Sequence, residues 1–171
     1  MFKIIACTNL KRAIGNNGDL LYHIKEDLVN FRKMTASNVV IMGRKTLESL
    51  PGGKPLDGRI NIILTTDTEY GVEPNENVFI TNSIQDTIDL CEAMFPDKEW
   101  FVIGGGSIYR QFLEKGLVSE MRLTLVHDDA EGDTLFPMYS EDEWRNYYDT
   151  AEMKTEGDNP LTYSFHVYKK K

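Results

Sequence analysis

One carboxylate falls where a helix would place apolar side chains. Ile24, Leu28 and Phe31 recur at i, i+4 and i+7, and Asp27 at i+3 shares their stripe. A carboxylate in the first turn of a helix is favoured by the dipole and stays hydrated, which is the plainer reading of Asp27. The competing reading puts it at the wall of an apolar cleft, where it needs hydrogen-bond donors and its pKa shifts, as in a functional site. Both readings stand on the spacing alone.

Two glycine-bearing junctions point to anion binding. Val39-Val40-Ile41-Met42 is an apolar run followed at once by Gly43-Arg44-Lys45-Thr46. Free N–H groups at a helix start, with two cations beside them, would suit a phosphate, whereas the competing reading is an exposed basic turn. Thr65 and Thr66 close the next apolar run and would add hydroxyls if the two strands are neighbours. The second junction, Ile103-Gly104-Gly105-Gly106-Ser107-Ile108-Tyr109, again ends an apolar run and opens a helical one. Its glycines would let backbone approach a pyrophosphate, but the spacing is not GxGxxG, so a tight structural turn competes equally. His23, His127 and His166 are scattered without metal or triad spacing, so no metal site is expected. The acidic run from Asp128 to Asp133 lacks the alternating ligands of a calcium loop and reads as a solvated loop.

The elements that must carry these residues follow from hydrophobic pattern. Residues 2–6, 38–42, 61–64 and 100–103 are continuous apolar runs, expected of strands covered on both faces in a parallel sheet. Helices are predicted over residues 24–35, 83–94 and 107–115, with Ser83 as an N-cap and Gly116 as the residue ending the third. Residues 162–168 alternate aromatic and β-branched types after a Gly-Asp-Asn-Pro turn, and no helix follows, so an antiparallel closing hairpin is expected. Residues 52–58 and 67–77 read as loops. The fold class is therefore α/β, with a mostly parallel central sheet, an antiparallel C-terminal strand and flanking helices.

At 171 residues, 41% hydrophobic and 27% charged, the chain is expected to form one soluble domain over residues 1–171. The net charge of −8 disfavours nucleic-acid partners, because that affinity rests on Lys and Arg. Any anion must meet a local basic pocket. The two cysteines, Cys7 and Cys91, are expected to be buried reduced thiols. No apolar run approaches a membrane span, and a cytoplasmic, monomeric protein is the expectation.

From Phe2 to Val167 the chain resembles dihydrofolate reductases of bacterial or phage type. The resemblance is carried, in order, by Ala13-Ile14-Gly15, residues 23–31 with Asp27, Val40 to Thr46, Arg59 to Leu64, Val102 to Tyr109, and Glu131-Gly132-Asp133-Thr134-Leu135-Phe136-Pro137. It implies an oxidoreductase that passes hydride from NADPH to dihydrofolate, with residues 38–106 binding the adenosine end of the cofactor. It makes Asp27 the anchor of the pterin and the aid to protonation of N5, supported by Thr124, with Tyr22 hydrogen-bonding an active-site water. Ile5, Cys7, Leu28, Phe31, Leu50, Leu56 and Ile103 would line the substrate cleft, and Arg59 would pair with the α-carboxylate of the glutamate moiety.

For the cofactor the resemblance implies Cys7, Ile14, Gly15 and Leu20 near the nicotinamide, and Gly43, Arg44, Lys45, Thr46, Leu64, Thr65 and Thr66 around the phosphates. It adds Ile103, Gly104, Gly105, Gly106, Ser107, Ile108, Tyr109 and Thr134, with a cis Gly104-Gly105 peptide, and gives Asp133 the gating of the loop from Gly15 to His23. The chain departs from the common pattern at Leu21-Tyr22, where proline then tryptophan is usual, and at Lys25, where a second proline is usual. Ser107 replaces a base found in some members, which leaves 2′-phosphate binding to Arg44 and Lys45. Two rivals remain: a pyrimidine reductase on the same fold, which needs no Asp27, and a nucleotide-binding module without turnover.

Overall fold

The computed structural model describes residues 1–73 and 75–171, so that Pro74, within the expected 67–77 loop, lies outside the described residues. Strands β1 (Phe2–Asn9), β2 (Ala13–Asn16) and β3 (Asp19–Leu20) precede helix α1 (Lys25–Thr35). Then come β4 (Val39–Gly43), the short α2 (Arg44–Ser49), a 3-10 turn at Pro51–Gly53, β5 (Ile60–Leu64), β6 (Val78–Thr81) and α3 (Ile84–Met94). The chain continues through β7 (Trp100–Gly104), α4 (Gly106–Glu114), β8 (Val118–Val126), β9 (Thr134–Leu135), β10 (Trp144–Asp149), β11 (Met153–Lys154) and β12 (Thr162–Lys170). No helix among the described residues is long and apolar enough to cross a membrane.

The main sheet has the order β10-β12-β8-β1-β7-β4-β5-β6, with β11 on β12. The pairs from β8 through β1, β7, β4 and β5 to β6 are all parallel, as their unbroken apolar runs require. Ile4, Ile41, Ile62 and Val102 are fully buried at its centre. The C-terminal part differs from a simple hairpin: β12 runs antiparallel to β8, and both β10 and β11 pair back onto it. A side-chain chain of Ser164 to His166 Nε2 at 2.7 Å and His166 Nδ1 to Asp149 at 2.6 Å ties β12 to β10.

The ends of the helices follow local chemistry. Ser83 caps α3 by accepting the Asp86 N–H at 3.0 Å, and Gly116 takes a φ of 68° beyond α4. The α1 stripe departs from an inward face, since Ile24 is buried while Leu28 is 43% exposed. Of the two cysteines only Cys91 is buried; Cys7 is half-buried, because β1 ends beside an open groove.

A second sheet, β3-β2-β9, was absent from the sequence expectations because its strands are two to four residues long. Its packing depends on glycine. A Cβ at Gly132 would stand 2.6 Å from the Gly15 carbonyl oxygen and 3.0 Å from Ala13 Cβ. Overpacking of this kind typically costs about 1–3 kcal/mol. Gly132→Ala should therefore lower the unfolding free energy by that amount, read as a lower urea midpoint with an unchanged m-value. An unaltered midpoint would show that the two backbones separate freely.

Candidate active site

The parallel strands end on one edge of the sheet, and there a groove of about 1020 Å³ opens. Such crevices, outside the carboxyl ends of parallel strands, are where α/β sheets take ligands. Register explains who meets there: Met42 of β4 pairs with Gly104 of β7, and Gly43 of β4 with Leu64 of β5. The groove is lined by Gly43, Arg44, Lys45 and Thr46 from the β4–α2 junction, and by Leu64, Thr65 and Thr66 after β5. Ile103, Gly104, Gly105, Gly106, Ser107, Ile108 and Tyr109 line it from the β7–α4 junction. Cys7, Ile14, Gly15, Leu20 and Thr134 close its other side. Every residue expected at the cofactor thus faces one space. Asn82, Ser83, Asp67 and Gln111 also line it and were missed, although Asn82-Ser83 follows β6 as Thr65-Thr66 follows β5.

The glycine junctions leave that space open. The Gly104-Gly105 peptide is cis, and Cβ atoms at these two residues would lie 3.4 and 3.5 Å from Thr46 Oγ1. A Cβ on Gly43 would press on Ile108 at 3.1 Å. Arg44 is held by Asp67 at 3.4 Å and Glu48 at 3.6 Å, with its guanidinium 5.7 Å from the Tyr70 ring centre. Exposed pairs of this sort contribute on the order of 0–1 kcal/mol, so a dianion competes with them readily. Lys45 is exposed beside it.

Asp27 lies at the far end of this arrangement. Parallel pairing sets Cys7 of β1 opposite Thr124 of β8, and the Thr124 hydroxyl donates to Asp27 Oδ1 at 2.5 Å. Burial raises the Asp27 carboxyl above the ordinary range, while the Thr124 and Cys7 groups facing it pull the other way. Burial and the adjacent Asp27 carboxylate push the Cys7 thiol up, which keeps it neutral. Tyr109 is similarly kept neutral by burial, and its hydroxyl donates to the Ile5 carbonyl at 2.7 Å. Tyr22 is engaged elsewhere: its hydroxyl donates to Asp128 and accepts from Asn9 at 3.0 Å, and burial leads its rise to about 12.

Three of the apolar residues expected at the substrate share one cluster, while Leu28 is exposed on α1. Leu50, Leu56 and Ile103 pack on one cluster with Val40, Met42, Leu47 and Ile63, and Phe31 is half-buried on α1. Arg59 Nη1 donates to Thr35 Oγ1 at 3.4 Å, but the buried Arg59 Nε has no partner among the described residues. Burial first, then the neighbouring Arg32 charge, lowers its pKa against the opposing pull of the Asp57 charge. A buried unmatched donor is costly, and a carboxylate is its natural complement. Asp133 meets the loop expected of it, accepting the Asn17 N–H at 2.9 Å.

A family model described as dihydrofolate reductase matches residues 1–170. Among curated proteins, a Bacillus subtilis dihydrofolate reductase is 34% identical over 173 residues, covering 100% of this chain and 95% of its own. Those of Staphylococcus haemolyticus and Staphylococcus aureus are 35% and 32% identical, covering 98% of this chain and 94% and 98% of theirs.

Because burial raises the Asp27 carboxyl in the folded state above its unfolded value, the folded chain binds that proton more tightly. Stability from this group is present at acid pH and is lost as pH rises from the unfolded value through the raised one. Asp27→Asn should therefore be more stable than the parent at pH 7 by about 0.5–2 kcal/mol, read as a higher melting temperature, with the gap closing below about pH 4. A gap that does not change with pH would show that the charge carries no such cost.

Proposed function

The chain belongs to the dihydrofolate reductase family, and from that premise we propose that it transfers hydride from NADPH to 7,8-dihydrofolate, giving 5,6,7,8-tetrahydrofolate. The family's members are oxidoreductases that bind dihydrofolate and a nicotinamide cofactor. With the reaction goes a supply of tetrahydrofolate for one-carbon and thymidylate metabolism, in a cytoplasmic setting. The observation that carries the reading is Asp27, a half-buried carboxylate held by Thr124 and sharing Cys7 with the glycine-floored groove.

The donors present suit NADPH. Arg44 and Lys45 would take the 2′-phosphate, and Thr46, Thr65, Thr66 and the α4 N-terminus after Gly104 and Gly105 would take the bridging phosphates. Residues 38–106 would thus hold the adenosine end, and Cys7 and Ile14 the nicotinamide. When bound, that group supplies the hydride.

The chain's own part is to orient the pterin and control a proton. Asp27 would accept from the pterin amino group and ring N–H, with Thr124 fixing the carboxylate's direction. An ionised carboxylate there favours the cationic, N5-protonated substrate by opposite-charge attraction. Leu28, Phe31, Leu50 and Leu56 would hold the aminobenzoyl ring, and the unmatched Arg59 guanidinium would take the glutamate α-carboxylate. Asp133, through Asn17, would steady the loop that excludes water.

The central test is the loss of reduced-nicotinamide absorbance on mixing the protein with NADPH and dihydrofolate; no dihydrofolate-dependent loss would overturn the proposal. Asp27→Asn should lose about 10²–10⁴-fold in hydride transfer at neutral pH and recover as acid protonates the substrate. A rate that is low but flat with pH would reduce Asp27 to a substrate anchor. Arg59→Leu should weaken dihydrofolate binding by about 2–5 kcal/mol and NADPH binding little, as read by titration of each ligand. Equal losses would assign Arg59 to the fold.

A further inference from the structure

Residues 16–20 are all exposed, yet Gly18, Asp19 and Leu20 form one wall of the groove. Their own side chains bury too little to hold that wall in place. The buried residue that follows them is Tyr22, 8% exposed, and its hydroxyl is the meeting point of three segments. Asn9, at the end of β1 and 2% exposed, donates to it from Nδ2 at 3.0 Å, and Asp128, just beyond β8, accepts from it. The remaining capacity of Asn9 is used on either side of the same point. Its second amide hydrogen goes to the Ala130 carbonyl at 2.8 Å, and its oxygen accepts the N–H groups of Lys11 and Ala13, each at 3.0 Å. Asp128 also accepts the Ala130 N–H at 3.4 Å.

Every donor and acceptor of the Asn9 side chain is therefore matched, and one of its four bonds ends on Tyr22. A buried amide with all its partners in place fixes one geometry, because moving any partner strands a polar group. Rotation of Tyr22 out of this contact would unpair an Asn9 hydrogen in a buried position. Beyond the β2–β3 backbone pairing and the bond from the Leu21 N–H to the Ile14 carbonyl at 3.2 Å, side chains hold the wall of the groove at two points, by the Asp133 contact to Asn17 at its head and by this three-way contact at its foot.

We infer that Asn9 and Asp128 are positioning residues that clamp the Tyr22 hydroxyl and so hold residues 16–21 over the cofactor groove while hydride is transferred. The inference rests on the proposed reaction for its kinetic consequence, but the clamp itself is a property of the free protein. Neither residue lines the groove, so both act through Tyr22.

The test uses the full chain with Tyr22→Phe, Asp128→Ala, Asp128→Asn and the combined Tyr22→Phe/Asp128→Ala. Asn9 is left intact because it also ties the turn at residues 10–13. Without ligand, amide hydrogen exchange at residues 16–21 should speed up roughly 5- to 30-fold in Tyr22→Phe and Asp128→Ala, the factor expected for one buried hydrogen bond. With NADPH and dihydrofolate, single-turnover hydride transfer should slow by a similar factor while the dihydrofolate Kd stays near the parent's and the melting temperature falls only by the few degrees that one buried hydrogen bond is worth. Asp128→Asn keeps an oxygen for the phenol and should recover most of the loss. The combined variant should be no worse than Tyr22→Phe alone, since both remove one contact. Parental exchange in the single variants, additive losses, or losses that track melting temperature alone would each overturn the clamp. If the parent chain shows no dihydrofolate-dependent turnover, the reaction reading fails, and the exchange measurement still decides the clamp.

Discussion

A carboxylate that has lost much of its water must be given donors or a proton, and Asp27 receives its donor only through the parallel register of β1 and β8. That register sets Cys7 opposite Thr124, turning the Thr124 hydroxyl to the carboxylate while the same β1 residue reaches the groove. A one-residue slip would turn both side chains to the opposite face. The site therefore depends on sheet pairing before it depends on any side chain's chemistry. The raised Asp27 carboxyl is the energetic trace of that arrangement: burial outweighs the Thr124 and Cys7 groups that face it.

The same incompleteness recurs at Arg59, where a buried Nε lacks a partner in a chain of net charge −8 with acceptors in surplus. The Asp57 charge acts on this guanidinium, but less than burial and the Arg32 charge do. Arg44 is the contrasting case. Its partners Asp67 and Glu48 are exposed and weakly held, so its charge is covered and yet available. The two arginines thus stand in contrasting settings, one with a buried donor left unmatched and the other loosely covered by exposed carboxylates.

The second sheet links the groove to the acidic loop that the sequence marks only as solvated. β9 and β2 pair through Gly15 and Thr134, Asp133 takes the Asn17 N–H, and Gly132 lets the two backbones touch. The departure at Leu21-Tyr22 finds its account here. A phenol in this place has its hydroxyl between Asn9 and Asp128, and the local acidity of residues 128–133 supplies its acceptor.

Much of this was legible in the residues. The continuous apolar runs of β4, β5 and β7 required parallel neighbours, and the glycine junctions at Gly43 and Gly104 to Gly106 fell where the groove opens, because both signals are local to a strand and its following turn. Position 27 on an apolar stripe was visible too, but not which reading of it holds. That choice was made by Thr124, 97 residues away, whose hydrogen bond needs β8 beside β1. The short strands β2, β3 and β9 left no periodic trace, since two to four residues are too few to repeat a pattern. Asn9, Tyr22 and Asp128 are unremarkable one by one, and their meeting at one hydroxyl exists only once three distant segments pack. Sequence by itself determined the sheet and the ends of its strands, where propensity and burial act within a few residues; tertiary structure decided which polar groups find each other, because a hydrogen bond a few ångströms long selects partners by position in space and is blind to their separation along the chain.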